Sequence, residues 1–232
     1  LWFTDALLDT LFDPATVSSG SVTLYGVAYT EGLEITDGVV TGYHGSVRDV
    51  IVPERWEGKT VTAVAENAFR GNTTVRHLTL PATVHTVGAS AFYECTSLSS
   101  VNLTAACRTV GAYAFYGCEK LSAVGTLTGL SEIREHTFLG CRRLSSVTFA
   151  DNLLAVGKYA FANCSALDAV MLPDTVTEIG EYAFAGCSSV RQFRIPAALN
   201  DLRTGALKDC LALTSLIPSA QNATALFRVV DG

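Results

Sequence analysis

Phenylalanine recurs at Phe69, Phe92, Phe115, Phe138, Phe161 and Phe184, and cysteine at Cys95, Cys118, Cys141, Cys164, Cys187 and Cys210, each step being 23 residues. A fixed period of this size, kept without insertion, marks a stacked array: one unit is too short to bury its own apolar face and buries it against the next. Most of the chain is therefore one continuous solenoid with a long, thin core. Function is to be sought on a surface rather than in a cleft.

Aligned, the repeats read V-x-x-I/V-G-x-x-A-F-x-G-C-x-x-L-x-x-V-x-L-P, with the best copy at Val176 to Pro196, VTEIGEYAFAGCSSVRQFRIP. The closing V-x-L alternates in and out and predicts a short strand that pairs in parallel with its copies. The opening V-x-x-I predicts a second extended rung. Between them A-F-x-G-C is too short for a full helix and predicts a single helical or 3-10 turn with Phe and Cys inward. Gly88, Gly111, Gly157 and Gly180 mark a turn.

Four segments follow from this pattern. Residues 1–19 hold an amphipathic capping helix and linker, started by Thr4 and Asp5 and placing Phe3, Leu7, Leu8, Leu11 and Phe12 on one face. Residues 20–60 read as a β cap of strands divided by Gly-rich turns, residues 61–219 as seven repeats, and residues 220–232 as a tail or degenerate cap. End caps are expected because a solenoid leaves its outermost rungs and strand edges uncovered.

Apolar residues make up 49% of the chain and charged ones 16%, which supplies a core and argues against disorder. A net charge of −6 lacks the concentrated basic face that nucleic acid or an anionic membrane surface requires. No run reaches the ~18 apolar residues of a membrane span. Leu1 to Phe12 are interrupted by Asp5 and Asp9, unlike a signal peptide. A removed export signal fits a start without Met, and so does a trimmed one. Six of the seven cysteines share one column, so their parallel Cβ vectors sit about 4.8 Å apart, beyond the ~3.5–4.5 Å of a bridge. They read as reduced, buried small hydrophobes, as does Cys107 in its own column. With no Cys or His pair at ligand spacing, no metal or other cofactor is expected.

The string LPDTVTEIGEYAFAGCSSV resembles the BspA-like, treponemal-type class of leucine-rich repeats, over roughly residues 47–219. The resemblance implies a right-handed solenoid with a parallel sheet on its concave face. It also implies an exported protein, periplasmic, secreted or on the cell surface, that serves adhesion or protein–protein contact.

On that face, side chains flanking the inward Val and Leu project outward. The central column is Thr79, Asn102, Gly125, Thr148, Met171, Arg194 and Ile217, and one flank runs His77, Ser100, Ala123, Ser146, Ala169, Gln192 and Ser215. Nearly all are small or uncharged. Asn102, Ala123, Gly125, Leu127, Thr148, Ala150, Ala169, Met171 and Arg194 form the candidate ligand-binding set, with a shallow apolar pocket around Ala123, Gly125, Leu127, Ala150, Ala169 and Met171. In the third repeat Gly125, Thr126 and Leu127 replace x-Leu-Pro without changing the period. The bland reading is that short side chains merely let the sheet curve.

Tyr113, Tyr159 and Tyr182 share one column and Tyr93 and Tyr116 another, which reads as a ladder along the core edge. Arg134, Arg142, Arg143 and Lys158 gather near Glu132 and Glu135, which reads as a mixed, solvated face. His44, His77, His85 and His136 fall in different columns; His77 meets only Ser100, which completes no triad, and known catalytic motifs are absent. The expectation is a non-enzymatic recognition module for a protein or apolar ligand, monomeric or weakly self-associating. The alternatives are a structural, self-assembling role for the N-terminal helix and solenoid ends, and a small-molecule carrier or enzyme.

Overall fold

The computed structural model describes residues 2–3, 25–26 and 30–219. Strand β1 (Trp2–Phe3) pairs antiparallel with β2 (Tyr25–Gly26). The helix expected from Thr4 to Phe12 and the tail at 220–232 lie outside the described residues.

A hairpin of β3 (Leu33–Thr36) and β4 (Val39–Tyr43) begins the stack, followed by β5 (Asp49–Ile51) and a small hairpin of β6 (Arg55–Trp56) and β7 (Lys59–Thr60). From there strands of the two extended segments alternate. The V-x-x-I segments give β8 (Ala63–Val64), β10 (Thr86–Val87), β12 (Thr109–Val110), β14 (Glu132–Ile133), β15 (Ala155–Val156), β17 (Glu178–Ile179) and β19 (Asp201–Leu202). The V-x-L segments give β9 (His77–Thr79), β11 (Ser100–Leu103), β13 (Ala123–Gly125), β16 (Ala169–Met171), β18 (Gln192–Ile195) and β20 (Ser215–Pro218). Pairing between successive rungs is parallel, in the orders β4-β8-β10-β12, β14-β15-β17-β19, β5-β9-β11-β13 and β16-β18-β20.

The N-terminal cap supplies a rung of its own. Val40 pairs with Val64, Val50 with Leu78, and Tyr43 extends the phenylalanine column, its ring 5.9 Å from that of Phe69. Thr30 closes the outer edge of β5: its N–H donates to Ile51 O at 2.9 Å and its hydroxyl accepts from Ile51 N at 2.7 Å. An edge that would otherwise template foreign strands is thereby blocked.

No helix forms among the described residues, and the A-F-x-G-C segments show why. Phe92 N donates to Ala114 O in the next rung, Tyr93 N back to Ser90 O in the 3-10 pattern, Glu94 N forward to Tyr116 O, and Cys95 N back to Phe92 O. Local and inter-rung bonds thus alternate residue by residue. Ser90, Tyr113, His136, Tyr159 and Tyr182 sit at φ between 52° and 59°, a left-handed conformation that stops a right-handed helix from propagating.

Inside, the rings of Phe69, Phe92, Phe115, Phe138, Phe161 and Phe184 stack at 5.0–5.3 Å. The cysteine column is a polar ladder as well as an apolar one. Each thiol donates to the carbonyl of the preceding rung's phenylalanine, from Cys95 to Phe69 O at 2.9 Å to Cys210 to Phe184 O at 3.3 Å. A side chain longer than Cys would overpack here, and Ala would leave that second acceptor site empty. At Gly111, a Cβ would fall 2.3 Å from Ala89 N of the rung below, so the rung spacing itself demands glycine.

Candidate functional site

The outward face of the V-x-L strands is built by register. Asp49, His77, Ser100 and Ala123 stand in one column, and Ala169, Gln192 and Ser215 continue it; Met171, Arg194 and Ile217 form a central column. Inward residues between them are buried, so strand alternation alone assigns the face.

The nine sequence-selected residues have different fates. Ala123, Gly125, Thr148 and Met171 are exposed, Met171 at 51%, while Ala150, Ala169 and Arg194 are half-buried. Leu127 is corrected to the core, at 1% exposure. The cause is Gly125, whose φ of +71° and pairing with Leu103 shift the register of β13 by one residue. Past the shift Leu127, one position beyond the place that Leu80, Leu103 and Leu172 hold, is buried, and Thr126 is half-buried with its hydroxyl 2.8 Å from that of Thr128. A Cβ on Gly125 would meet Leu103 O at 2.3 Å, so the bulge depends on glycine.

Two polar members are committed to holding rungs together. Asn102 Oδ1 accepts from Leu80 N at 2.6 Å and its Nδ2 donates to Leu80 O at 3.1 Å. Arg194 repeats the device four rungs on, donating to Leu172 O at 3.1 Å and to the Asp174 carboxylate at 2.8 Å. The expected apolar pocket is accordingly two patches, Ala123 with Gly125 and Ala169 with Met171. Between them Ser146–Ala150 lie outside any strand.

The structure adds a residue that the sequence did not reveal. His77 Nδ1 lies 2.8 Å from Ser100 Oγ, and His77 Nε2 lies 4.0 Å from Asp49 Oδ1. Asp49 escaped because it stands 28 residues before His77, the β6–β7 hairpin having lengthened that rung beyond 23. The order is that of an acid, a base and a hydroxyl, set on an open surface. The side chains of Asp49 and His77 are 77% and 54% exposed on an open sheet. The N–H groups of Ser99 and Ser100 both donate to Arg76 O, so neither is free to stabilise an oxyanion. Among the described residues no cluster of three or more His, Cys, Asp or Glu is placed to hold a metal ion.

On the turn side, Tyr113, His136, Tyr159 and Tyr182 stack at 4.5–5.1 Å, with Tyr93 and Tyr116 at 4.7 Å beside them. The rings cover one another's faces, which removes the stacking platform a sugar would need. Burial pushes the pKa of His136 down, Lys158 adding to the effect and Glu135 opposing it, and its Nδ1 is buried without a partner. Three of the four cluster cations pair with carboxylates among the described residues: Arg134 with Glu132 at 2.7 Å, Arg142 with Glu119 at 3.8 Å, and Lys158 with Glu181. Solvent screens such exposed pairs, so they contribute little to stability.

The sequence profile of the BspA type leucine rich repeat region matches residues 48–168 and 108–225, in six copies. A leucine rich cell surface protein from Faecalibacterium prausnitzii superposes with a TM-score of 0.74 at 27% identity, over 84% of this chain. The chain spans 55% of that protein's length. The T. pallidum leucine rich repeat protein is 31% identical with a TM-score of 0.60, covering 84% of this chain and 80% of that one. A leucine-rich repeat protein from Eubacterium ventriosum shares the fold at 20% identity and a TM-score of 0.64, over 79% of this chain and 48% of its own. No curated protein matches the chain.

Proposed function

Because the chain belongs to the BspA-type leucine-rich repeat family, we propose that it is a non-enzymatic recognition scaffold of a bacterial exported or surface protein. Its ligand is a protein or an apolar molecule, bound on the outward face of the V-x-L strands. The observation carrying this reading is the Ala169–Met171 patch. Met171 is half exposed at the end of β16, on the same face as the small Ala169, on a strand paired in parallel with β18. A flexible thioether on a rigid platform adapts to a partner without reordering the backbone, which keeps the entropic cost of binding low. The family's repeat architecture and the surface description of the F. prausnitzii protein support an exported setting. No helix among the described residues is long and apolar enough to cross a membrane.

The test is binding of the intact protein to an array of extracellular-matrix proteins, glycans and lipids, beside an Ala169→Glu, Met171→Glu variant with an unchanged melting curve. Both positions point outward, so the substitutions leave the core intact. A ligand captured by the wild type and lost at least tenfold by the variant supports the site. Equal capture by both removes function from this face.

A further inference from the structure

The V-x-x-I sheet misses one rung step and the V-x-L sheet two, since residues 146–150 form no strand with β13 or β16; only the step from the β12–β13 rung to the next is open in both. The V-x-x-I sheet ends at β12 and restarts at β14; the V-x-L sheet ends at β13 and restarts at β16. On the first side, Gly88 donates to Val64 O, Gly111 to Val87 O, Gly157 to Ile133 O, Gly180 to Val156 O and Arg203 to Ile179 O, while Arg134 makes no such bond to Val110 O. On the second side, the N–H groups of Ser146, Val147, Thr148 and Phe149 donate to no group among the described residues. Val147 and Phe149 are correspondingly only half-buried where Val124, Val170, Leu103 and Leu172 are fully so.

The third side is unbroken at this level. Tyr113 N donates to Glu135 O at 3.1 Å, Phe115 N to Thr137 O at 2.8 Å and Gly117 N to Leu139 O at 2.8 Å. Phe115 and Phe138 stack at 5.3 Å, and Cys141 donates to Phe115 O at 3.2 Å. Two sides open and one side bonded is the arrangement of a hinge, whose axis runs along the turn column. Its origin is local: the Gly125 bulge turns the end of β13 one residue out of register, so the following segment finds no partner in line.

We propose that the solenoid is two stiff blocks, residues 30–125 and 132–219, that bend about the turn column joining Tyr113–Gly117 to Glu135–Leu139. Bending varies the spacing between the Ala123–Gly125 and Ala169–Met171 patches, so one face can fit partners of different curvature. At the next step the V-x-x-I sheet is bonded through β14 and β15 although the V-x-L sheet is not; only at the hinge level are both open.

The bend is measured without reference to any ligand, so it stands or falls independently of the recognition reading. Spin labels go on Asp49→Cys with Ala123→Cys, and on Ala123→Cys with Gln192→Cys. Each pair spans three rung steps of one column, about 14 Å at the usual strand spacing; the first lies within one block and the second crosses the break. Both labelled pairs carry Cys210→Ser, since Cys210 is half-buried, and the other six native cysteines are buried and stay unlabelled. Dipolar broadening in continuous-wave EPR is expected to give a separation spread at least twice as wide for the crossing pair. Hydrogen exchange on the unmodified chain is expected to run at least tenfold faster at Ser146–Phe149 than at Gln192–Ile195. A second variant, Gly125→Asn, Thr126→Leu, Leu127→Pro, restores the pattern of the other rungs and is expected to narrow the crossing pair to the width of the control. Equal widths in the two pairs, or protected amides at Ser146–Phe149, overturn the hinge even if the restoring variant does not fold.

Discussion

Removing the ring of Phe138 tests how the two blocks hold together. Phe138 has no exposed surface and lies face to face with Phe115 at 5.3 Å and Phe161 at 5.2 Å. Phe138→Ala in a core costs about 3–5 kcal/mol. Two ring contacts, each worth ~0.5–1.5 kcal/mol beyond area burial, place this site at the upper end of that range. Phe184→Ala is the control, since Phe184 is equally buried, with Phe161 stacked at 5.3 Å and Phe193 edge-on at 5.4 Å. Its rung, however, is bonded to its neighbours through β15-β17-β19. Both variants should lose similar stability, but only Phe138→Ala removes the main apolar tie across a level where the sheets have stopped. The assay is urea unfolding in a Trp2→Phe background, followed by the fluorescence of Trp56, which lies in the first block, and by far-ultraviolet circular dichroism, which reports both blocks. In the wild type and in Phe184→Ala the two probes should coincide; in Phe138→Ala their midpoints should separate. A loss below about 1.5 kcal/mol would refute the ladder energetics, and coincident probes in Phe138→Ala would refute the claim that this ring couples the blocks.

Four further outcomes are expected. Gly125→Ala should destabilise by at least ~1–2 kcal/mol in a thermal melt, since φ there is +71° and the new Cβ meets Leu103 O; an unchanged melt contradicts the bulge. Asn102→Ala should lose about 1 kcal/mol in urea, because Leu80 loses a partner for both N–H and C=O; Asn102→Asp should restore only the acceptor half. Burial pushes the thiols of Cys107 and Cys210 up to about 11 and that of Cys95 up to about 12, from an ordinary value near 9. In the unfolded chain these groups release protons first, so stability is fully present below about pH 9 and should fall as pH rises from 9 through 11–12. Urea midpoints at pH 8 and pH 10.5 check the sign, and a higher midpoint at pH 10.5 would contradict it. Alkylation at pH 8 should modify Cys210 first, since it alone among the seven is not fully buried.

Much of the architecture was legible in the residues because a solenoid converts sequence period directly into space. Residues 23 apart become neighbours, so the phenylalanine and cysteine columns, the inward Val and Leu of each strand and the outward column from Met171 to Ile217 could be read without coordinates. Legibility ended where the period was interrupted or where a backbone angle mattered more than a side chain. Asp49 is hidden from the sequence because the β6–β7 hairpin lengthens its rung, and parity puts Leu127 on the face although the register shift at Gly125 ends with Leu127 buried. Strand alternation puts Asn102 and Arg194 in the candidate binding set, whereas their polar atoms serve the backbone of the preceding rung.

The sequence by itself determined the repeat, the composition of the core and the family, since all three depend on which residue types recur at a fixed spacing. Only the tertiary structure decided which face residues are available and where the stack is weak. Those properties depend on hydrogen bonds between rungs, and one glycine at positive φ can redirect such bonds while leaving the period of 23 intact.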